Sequence, residues 1–293
     1  MKAEKAFRID GSKKIKLKEL ATAPDKEVDK EKVKDEIKKD IKKLKENQEM
    51  LYAQDRRGVL IVFQAMDAAG KDSMIEHVMS GVNPQGTSVT SFKSPSALEL
   101  DHDYLWRIHT QVPRRGDIKI FNRSHYEDVL IARVHPEILV GNHLPGIDSV
   151  KDIKESFYEK RYNHIRHFEE YLADEGFVIL KFFLHLSKQE QKNRFIRRIE
   201  IPEKNWKFSE ADVKERQYWE AYQAAYEKAI NATATKENPW YVIPADDKWY
   251  SRYLVSEILN ERIKELGLSY PEVTAARRDE LQTILAKLED GED

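Results

Sequence analysis

The chain has 293 residues, enough for one large domain, and its 50 Lys+Arg nearly cancel its 52 Asp+Glu, leaving a net charge of -2. That balance argues against bulk nucleic-acid binding, so any polyanion site must come from local clusters of cations. The absence of cysteine excludes disulfides, thiol nucleophiles and thiolate metal sites, and neither a signal-peptide core nor an apolar run near the roughly 18 residues of a membrane span is present, so a cytoplasmic protein without nucleic-acid or membrane partners is expected.

Residues 25–57 are dense in Lys, Glu and Asp, with Val33, Ile37, Ile41 and Leu44 recurring at helical spacing. This predicts a charged helix that lays one narrow stripe on the core. Its basic look is offset by interleaved acids, which marks a solvated face in preference to a nucleic-acid site.

Residues 58–64 form a short continuous apolar run after a turn signal, as expected of a strand buried on both faces of a parallel sheet. They lead into Ala65-Met66-Asp67-Ala68-Ala69-Gly70-Lys71-Asp72-Ser73 and then a helical stretch, 74–79. Strand, loop and helix is the context a phosphate-binding loop needs: loop amides and the positive helix end cradle phosphate oxygens, and Lys71 adds an ammonium. The match to the usual motif is imperfect, with Ala65 at the first Gly position, Asp72 at the Ser/Thr position and Ser73 one place late. The bland alternative is an ordinary tight turn. Asp67 weighs against that alternative, because a carboxylate beside phosphate is repulsive unless a divalent cation lies between them or it takes a proton from the acceptor; magnesium resolves the conflict.

Further apolar runs predict strands at 88–92, 118–121, 177–185 and 240–244, and helical periods occur at 97–110, 150–172 and 212–230. Alternating strands and helices give an α/β sheet covered on both faces. The strand at 118–121 ends in Asn122-Arg123-Ser124-His125-Tyr126-Glu127-Asp128, and ligands of open α/β sheets bind beyond strand carboxyl ends. Arg123 is a candidate phosphate ligand there; Glu127 and Asp128 can hold metal or orient an acceptor, though adjacent helical residues point about 100° apart. Ser124 as a cap with dipole-matching acids is the alternative.

In the 150–172 segment, His164 and His167 share a helix face without a third ligand at zinc spacing, and are expected to be a surface pair. Residues 187–207 are rich in Lys and Arg. Ser187 and Glu190 have capping-box spacing, while Arg194, Arg197 and Arg198 fall on one face, a mildly repulsive arrangement that a bound polyanion would relieve. A solvated helix with Glu200 and Glu203 as partners remains the other option. Pro202 ends the helix, and Trp206 and Phe208 suggest a segment that packs down as a lid.

Together the motifs QAMDAAGKDS, GVNPQG, DYLWRIHTQVPRRG, FNRSHYEDV, LKFFLHLSKQEQ, PEKNWKFS and PWYVIPADDKWY resemble the family-2 polyphosphate kinases from about Leu51 to about Leu259. The resemblance implies an α/β, P-loop kinase-like three-layer fold with a central parallel sheet and a helical lid module. It implies magnesium-dependent transfer of the terminal phosphoryl group of inorganic polyphosphate to a nucleotide without a phosphoenzyme. Asn122 and Glu127 are similar to the class III branch, associated with both AMP and ADP as acceptors, whereas classes I and II carry Asp where Asn122 stands.

On that basis the expected domain is single: helix 25–57, core 58–186 and 233–266, lid about 187–232 and a C-terminal helix 271–289. Asp67 and Asp128 are expected to bind magnesium, and Lys71 and Arg123 to act at the reacting phosphates. Asn122, Glu127, Asp128 and Arg133 are expected at the nucleotide, and Ala69, Gly70, Lys71, Asp72, Ser73, Lys93, Arg194, Arg198 and Lys204 along polyphosphate. A homo-oligomer, dimer or tetramer, is implied by the resemblance alone. The alternatives are an ATP-dependent kinase of a small metabolite or nucleoside monophosphate, and a non-catalytic polyanion-binding protein.

Overall fold

In the computed structural model, which describes residues 3–291, the sheet has six strands: β1 (Arg8–Ile9), β2 (Gly58–Ala65), β3 (Thr87–Ser91), β4 (Ile118–Asn122), β5 (Phe177–His185) and β6 (Trp240–Pro244). Their order is β1-β6-β5-β2-β4-β3, parallel throughout except for the two-residue edge strand β1, which runs antiparallel to β6. Every residue of central β2 is buried, which explains its unbroken apolar run. Leu60 and Val62 face one core, while Val59, Ile61 and Phe63 face a second core on the other side, so helices cover both faces.

The main helices are α1 (Lys30–Gln54), α2 (Lys71–Met79), α3 (Glu155–Asp174), α4 (Lys188–Glu200), α5 (Trp219–Thr233), α6 (Lys248–Lys264) and α7 (Ala275–Asp290). Along α1, Ile37, Asp40, Leu44, Gln48 and Leu51 are buried at helical spacing, and this stripe packs on α6. The single helix expected over 97–110 is instead two short ones, Ala97–Leu100 and Trp106–His109, because Asp103 Oδ1 accepts from Leu105 N at 2.9 Å and draws the chain into a local turn between them. Helix α7 buries none of its residues; Leu281, Ile284, Leu285 and Leu288 are all exposed. No helix among the described residues is long and apolar enough to cross a membrane.

Register decides where a site can form. Phe63 pairs with Asn122, Ala65 with Leu184 and His185 with Pro244, so the segments that follow β4, β2, β5 and β6 emerge side by side at one sheet edge. Four neighbouring carboxyl ends create the crevice that open α/β sheets use for ligands.

Candidate active site

After β2 the chain doubles back through Ala68 and Gly70, both left-handed with φ of 61° and 96°, before entering α2. Glycine suits this conformation, whereas at Ala68 it stores strain of about 1 kcal/mol that the surroundings must hold. The loop carbonyls have partners from elsewhere: Tyr226 donates its hydroxyl to Ala65 O at 3.0 Å and Gln191 Nε2 to Asp67 O at 3.0 Å. Lys71 Nζ lies 3.4 Å from Ala65 O; burial pushes its ammonium pKa down, against the pull of Asp67. Ser73 donates to Gly70 O at 3.0 Å, and Asp72 accepts from Asn122 Nδ2 at 2.7 Å, which ties the loop to the neighbouring turn.

That second turn follows β4. Arg123 is also left-handed, with φ of 63°, and Ser124 caps the short 3-10 helix His125–Val129 by accepting from Tyr126 N at 3.2 Å. Gln64 Nε2 donates to the same Ser124 oxygen at 3.1 Å. His125 and Tyr126 are sunk in a buried polar cluster: His125 Nε2 lies 3.2 Å from Glu169 Oε1, and the Tyr126 hydroxyl lies 2.8 Å from that oxygen and 3.0 Å from Thr233 Oγ1. Lys181 donates to Glu169 and, at 3.0 Å, to Thr233 O. Burial works against both charges, yet Lys181 and His125 hold the Glu169 carboxyl below its ordinary range.

A groove of about 600 Å³ crosses the phosphate loop, lined by nine cationic residues, among them Lys93, Arg197, Arg198, Lys204 and Lys248, and three acidic ones, Asp67, Asp72 and Asp212. Lys248 is pushed down by burial and by Arg194, Arg197, Lys204 and Arg252, so the cations repel one another until an anion arrives. A smaller cavity of about 190 Å³ opens from the groove at Asp67, Lys71 and Arg123 and continues to Glu127, Tyr222 and Tyr226. Burial raises Glu127, opposed by Arg123 and Lys71 and reinforced by Asp67; burial and Asp67 likewise raise Asp212. Carboxylates that disfavour one another's ionisation are hard oxygen donors whose conflict a cation would relieve. No group of three or more such ligands forms a cage among the described residues. The donor set therefore fits an ion such as magnesium, which takes one or two carboxylates and completes its shell with phosphate oxygens and water.

Several expected residues lie elsewhere or act otherwise. Asp128 does not join Asp67. It faces a separate cavity of about 120 Å³ with Tyr104, Arg107 and Arg161, its Oδ1 3.8 Å from Arg161 Nη1, and burial pushes it up to about 6 against the two arginines. Its neighbour Glu127 takes the place beside Asp67, since successive residues of a helical turn cannot point the same way. Arg133 pairs with Glu155 and lies over the Tyr158 ring at 4.5 Å, bordering none of the three cavities.

Arg194 borders the groove and engages its guanidinium with Glu190 and with main-chain carbonyls of Ala68, Ala69, Ala245 and Asp246. Ser187 does cap α4, accepting from Glu190 N at 3.1 Å, but its own amide donates to Asp246 and Glu190 faces Arg194, so no capping box forms. Trp206 is 78% exposed on the groove wall and does not pack down. His164 and His167 are exposed. Ala69, Gly70, Lys71, Asp72, Ser73, Lys93, Asn122, Arg123, Arg198 and Lys204 all border the groove.

Sequence reasoning missed Lys248, Asp212, Tyr222 and Tyr226. Lys248 was within reach, because it starts the helix after β6, beyond another strand carboxyl end. Asp212 and the two tyrosines carry no local signal: they come from helices that the tertiary fold alone brings over the loop.

A family model described as Polyphosphate kinase 2 (PPK2) matches residues 27–269. The chain is 53% identical over 246 residues to an ADP-polyphosphate phosphotransferase of Rhodopseudomonas palustris, covering 84% of each. It is 51% identical over 234 residues to an AMP/ADP-polyphosphate phosphotransferase of Meiothermus ruber, covering 80% of this chain and 82% of the other. The crystal structure of polyphosphate kinase 2 from Arthrobacter aurescens TC1 superposes with a TM-score of 0.86 at 35% identity, over 97% of each chain. The chain belongs to the polyphosphate kinase 2 family, and its fold is the P-loop kinase-like fold of that family.

Proposed function

We propose that this member of the family is a cytoplasmic enzyme that moves the terminal phosphoryl group of inorganic polyphosphate to AMP and ADP, reversibly and by direct in-line transfer, with Mg²⁺ as the ion. The observation that carries this is the junction of the two cavities. A groove with nine cations suits an extended polyanion, and it meets the smaller, partly aromatic cavity where Met66, Asp67, Lys71, Arg123 and Asp212 stand. Donor and acceptor would thus meet at the loop, one from each side. An ATP-dependent kinase of a small metabolite needs the loop but not the long cationic groove.

Phosphoryl transfer asks the protein for alignment and charge neutralisation more than for covalent chemistry. Lys71, Arg123 and the loop amides hold the phosphates at the junction, and Arg198, Lys93, Lys204 and Lys248 hold the chain along the groove. Tyr222 and Tyr226 wall the acceptor's cavity. Asp67 and Glu127 would hold the ion, which when bound neutralises charge on the transferring group. Residues 187–232 are proposed to act as the lid. Assembly into a dimer or tetramer is also proposed, supported by the exposed apolar stripe Leu281, Ile284, Leu285 and Leu288 on α7.

The names of the two relatives differ on AMP; use of both acceptors rests on the class III resemblance of Asn122 and Glu127, although Asn122 borders the groove and not the smaller cavity. The test is to incubate purified protein with magnesium, polyphosphate and either AMP or ADP, without ATP, and to resolve the nucleotides. ATP is expected from ADP, and ADP followed by ATP from AMP. Untouched AMP beside consumed ADP would restrict the acceptor to ADP. No product from either would overturn the proposal.

A further inference from the structure

We infer that Arg194 is a positioning residue that shapes the phosphate loop from behind and does not itself grip polyphosphate. A guanidinium has five N–H donors and no acceptor. At Arg194 all are engaged: Nε with Glu190 Oε1 at 2.9 Å, Nη1 with Ala68 O at 3.2 Å and Ala69 O at 2.7 Å, and Nη2 with Ala245 O at 2.5 Å and Asp246 O at 3.2 Å. The residue is 6% exposed. Arg198, one turn later, differs: only its Nη1 is hydrogen-bonded among the described residues, to Lys207 O and Asp212 Oδ2, both at 3.2 Å.

Gln191, three residues before Arg194 on α4, takes Asp67 O, so two side chains of one helix hold three consecutive loop carbonyls. A planar trans peptide points its C=O and N–H in opposite directions. Pinning the carbonyls of Asp67 and Ala69 therefore aims the amides of Ala68 and Gly70 away from α4, as an anion-binding loop requires. The same guanidinium holds left-handed Ala68 in place and ties the loop after β2 to the segment after β6. Without it, carbonyl oxygens are free to swing toward the phosphates, and the rate falls although no phosphate contact has been removed.

The kinetic part of this inference rests on the polyphosphate activity proposed above. The experiment compares wild type with Arg194→Gln, Arg194→Lys, Arg194→Ala and Arg198→Gln, measuring turnover at saturating polyphosphate and apparent polyphosphate affinity at several salt concentrations. Misplaced loop groups should lower turnover about 100-fold in all three Arg194 variants, Lys included, since an ammonium cannot replace the fork. The salt dependence of affinity should match wild type, because no counterion-releasing contact is lost, while Arg198→Gln should show a shallower dependence. Millimolar guanidinium should restore part of the turnover of Arg194→Ala.

A salt slope in Arg194→Gln as shallow as in Arg198→Gln would make Arg194 a phosphate ligand and overturn the inference; so would turnover within about threefold of wild type. If Gln and Ala variants fail to fold, Arg194→Lys, which keeps charge and length, carries the same expectations. If wild type itself shows no polyphosphate-dependent turnover, the functional proposal fails separately. Pyrophosphate then serves as the probe: it should raise the melting temperature of wild type but not of Arg194→Lys, and equal stabilisation of both would overturn the inference.

Discussion

The turns after β2 and β4 both place a non-glycine residue in the left-handed region, both lead into a helix and both border the same groove, yet they are held in opposite ways. The first is gripped from outside, by Tyr226, Gln191 and Arg194, while its own Asp67 and Lys71 face the cavities. The second is anchored by its own side chains, Ser124, His125 and Tyr126, sunk among Gln64, Glu169 and Thr233. Damage to the two turns should therefore appear in different measurements. Side chains of the first turn can be removed at a cost in rate, whereas the support of the second is part of the stability of the fold.

The sharpest way to break that contrast is Lys181→Met. It leaves the Glu169 carboxylate buried beside Tyr126 without its cation, and removing one partner of a buried pair costs about 3–5 kcal/mol. The denaturant midpoint should fall accordingly; an unchanged midpoint would mean that the second turn does not hang on the cluster. Next in size is Lys71→Ala, expected to lower turnover at least 100-fold, about 3 kcal/mol of barrier. Because burial already disfavours the Lys71 ammonium, its melting temperature should hold or rise, and a clear loss of stability would erase the distinction between the turns.

The smallest effect concerns Asp128, whose folded-state pKa is raised to about 6. A raised carboxyl contributes stability that is fully present below its unfolded value and lost as pH rises through the folded one. The wild type should therefore lose about 2–3 kcal/mol from this group between about pH 4 and 6. Asp128→Asn cannot titrate and should flatten the pH dependence of the melting temperature in that window. Parallel profiles for the two proteins would show that the Asp128 pocket is not the low-polarity place its burial implies.

Strands β2 and β6 are legible in the sequence as nearly unbroken apolar runs buried on both faces, and β4 and β5 as apolar runs interrupted by Lys119 and Lys181. Strand β1 is not, since two residues, Arg8 and Ile9, carry no period, and sheet order is set by long-range pairing that no local pattern encodes. At the site, Asp67, Gly70 and Lys71 are marked by their place between strand and helix. The choice between Glu127 and Asp128 is not marked, because it depends on how His125 and Tyr126 bury themselves and so rotate the turn. The same limit applies to α4. Spacing puts Arg194 and Arg198 on one face, but only carbonyls from Ala68, Ala69, Ala245 and Asp246, remote in the chain, decide which of them turns inward.

Helix α7 has 16 residues, none of them buried, whereas α6 just before it buries eight of its 17. An isolated helix of that length is marginal in water, so within a lone chain its backbone amides should trade protons for deuterons through openings that cost almost no free energy. The amides of α6 must instead wait for larger, rarer openings of the core. The ratio of exchange rates across the Gly267 region thus reports whether α7 is covered in solution: a large step marks a bare helix, and a small one marks a surface that has found something to lie against.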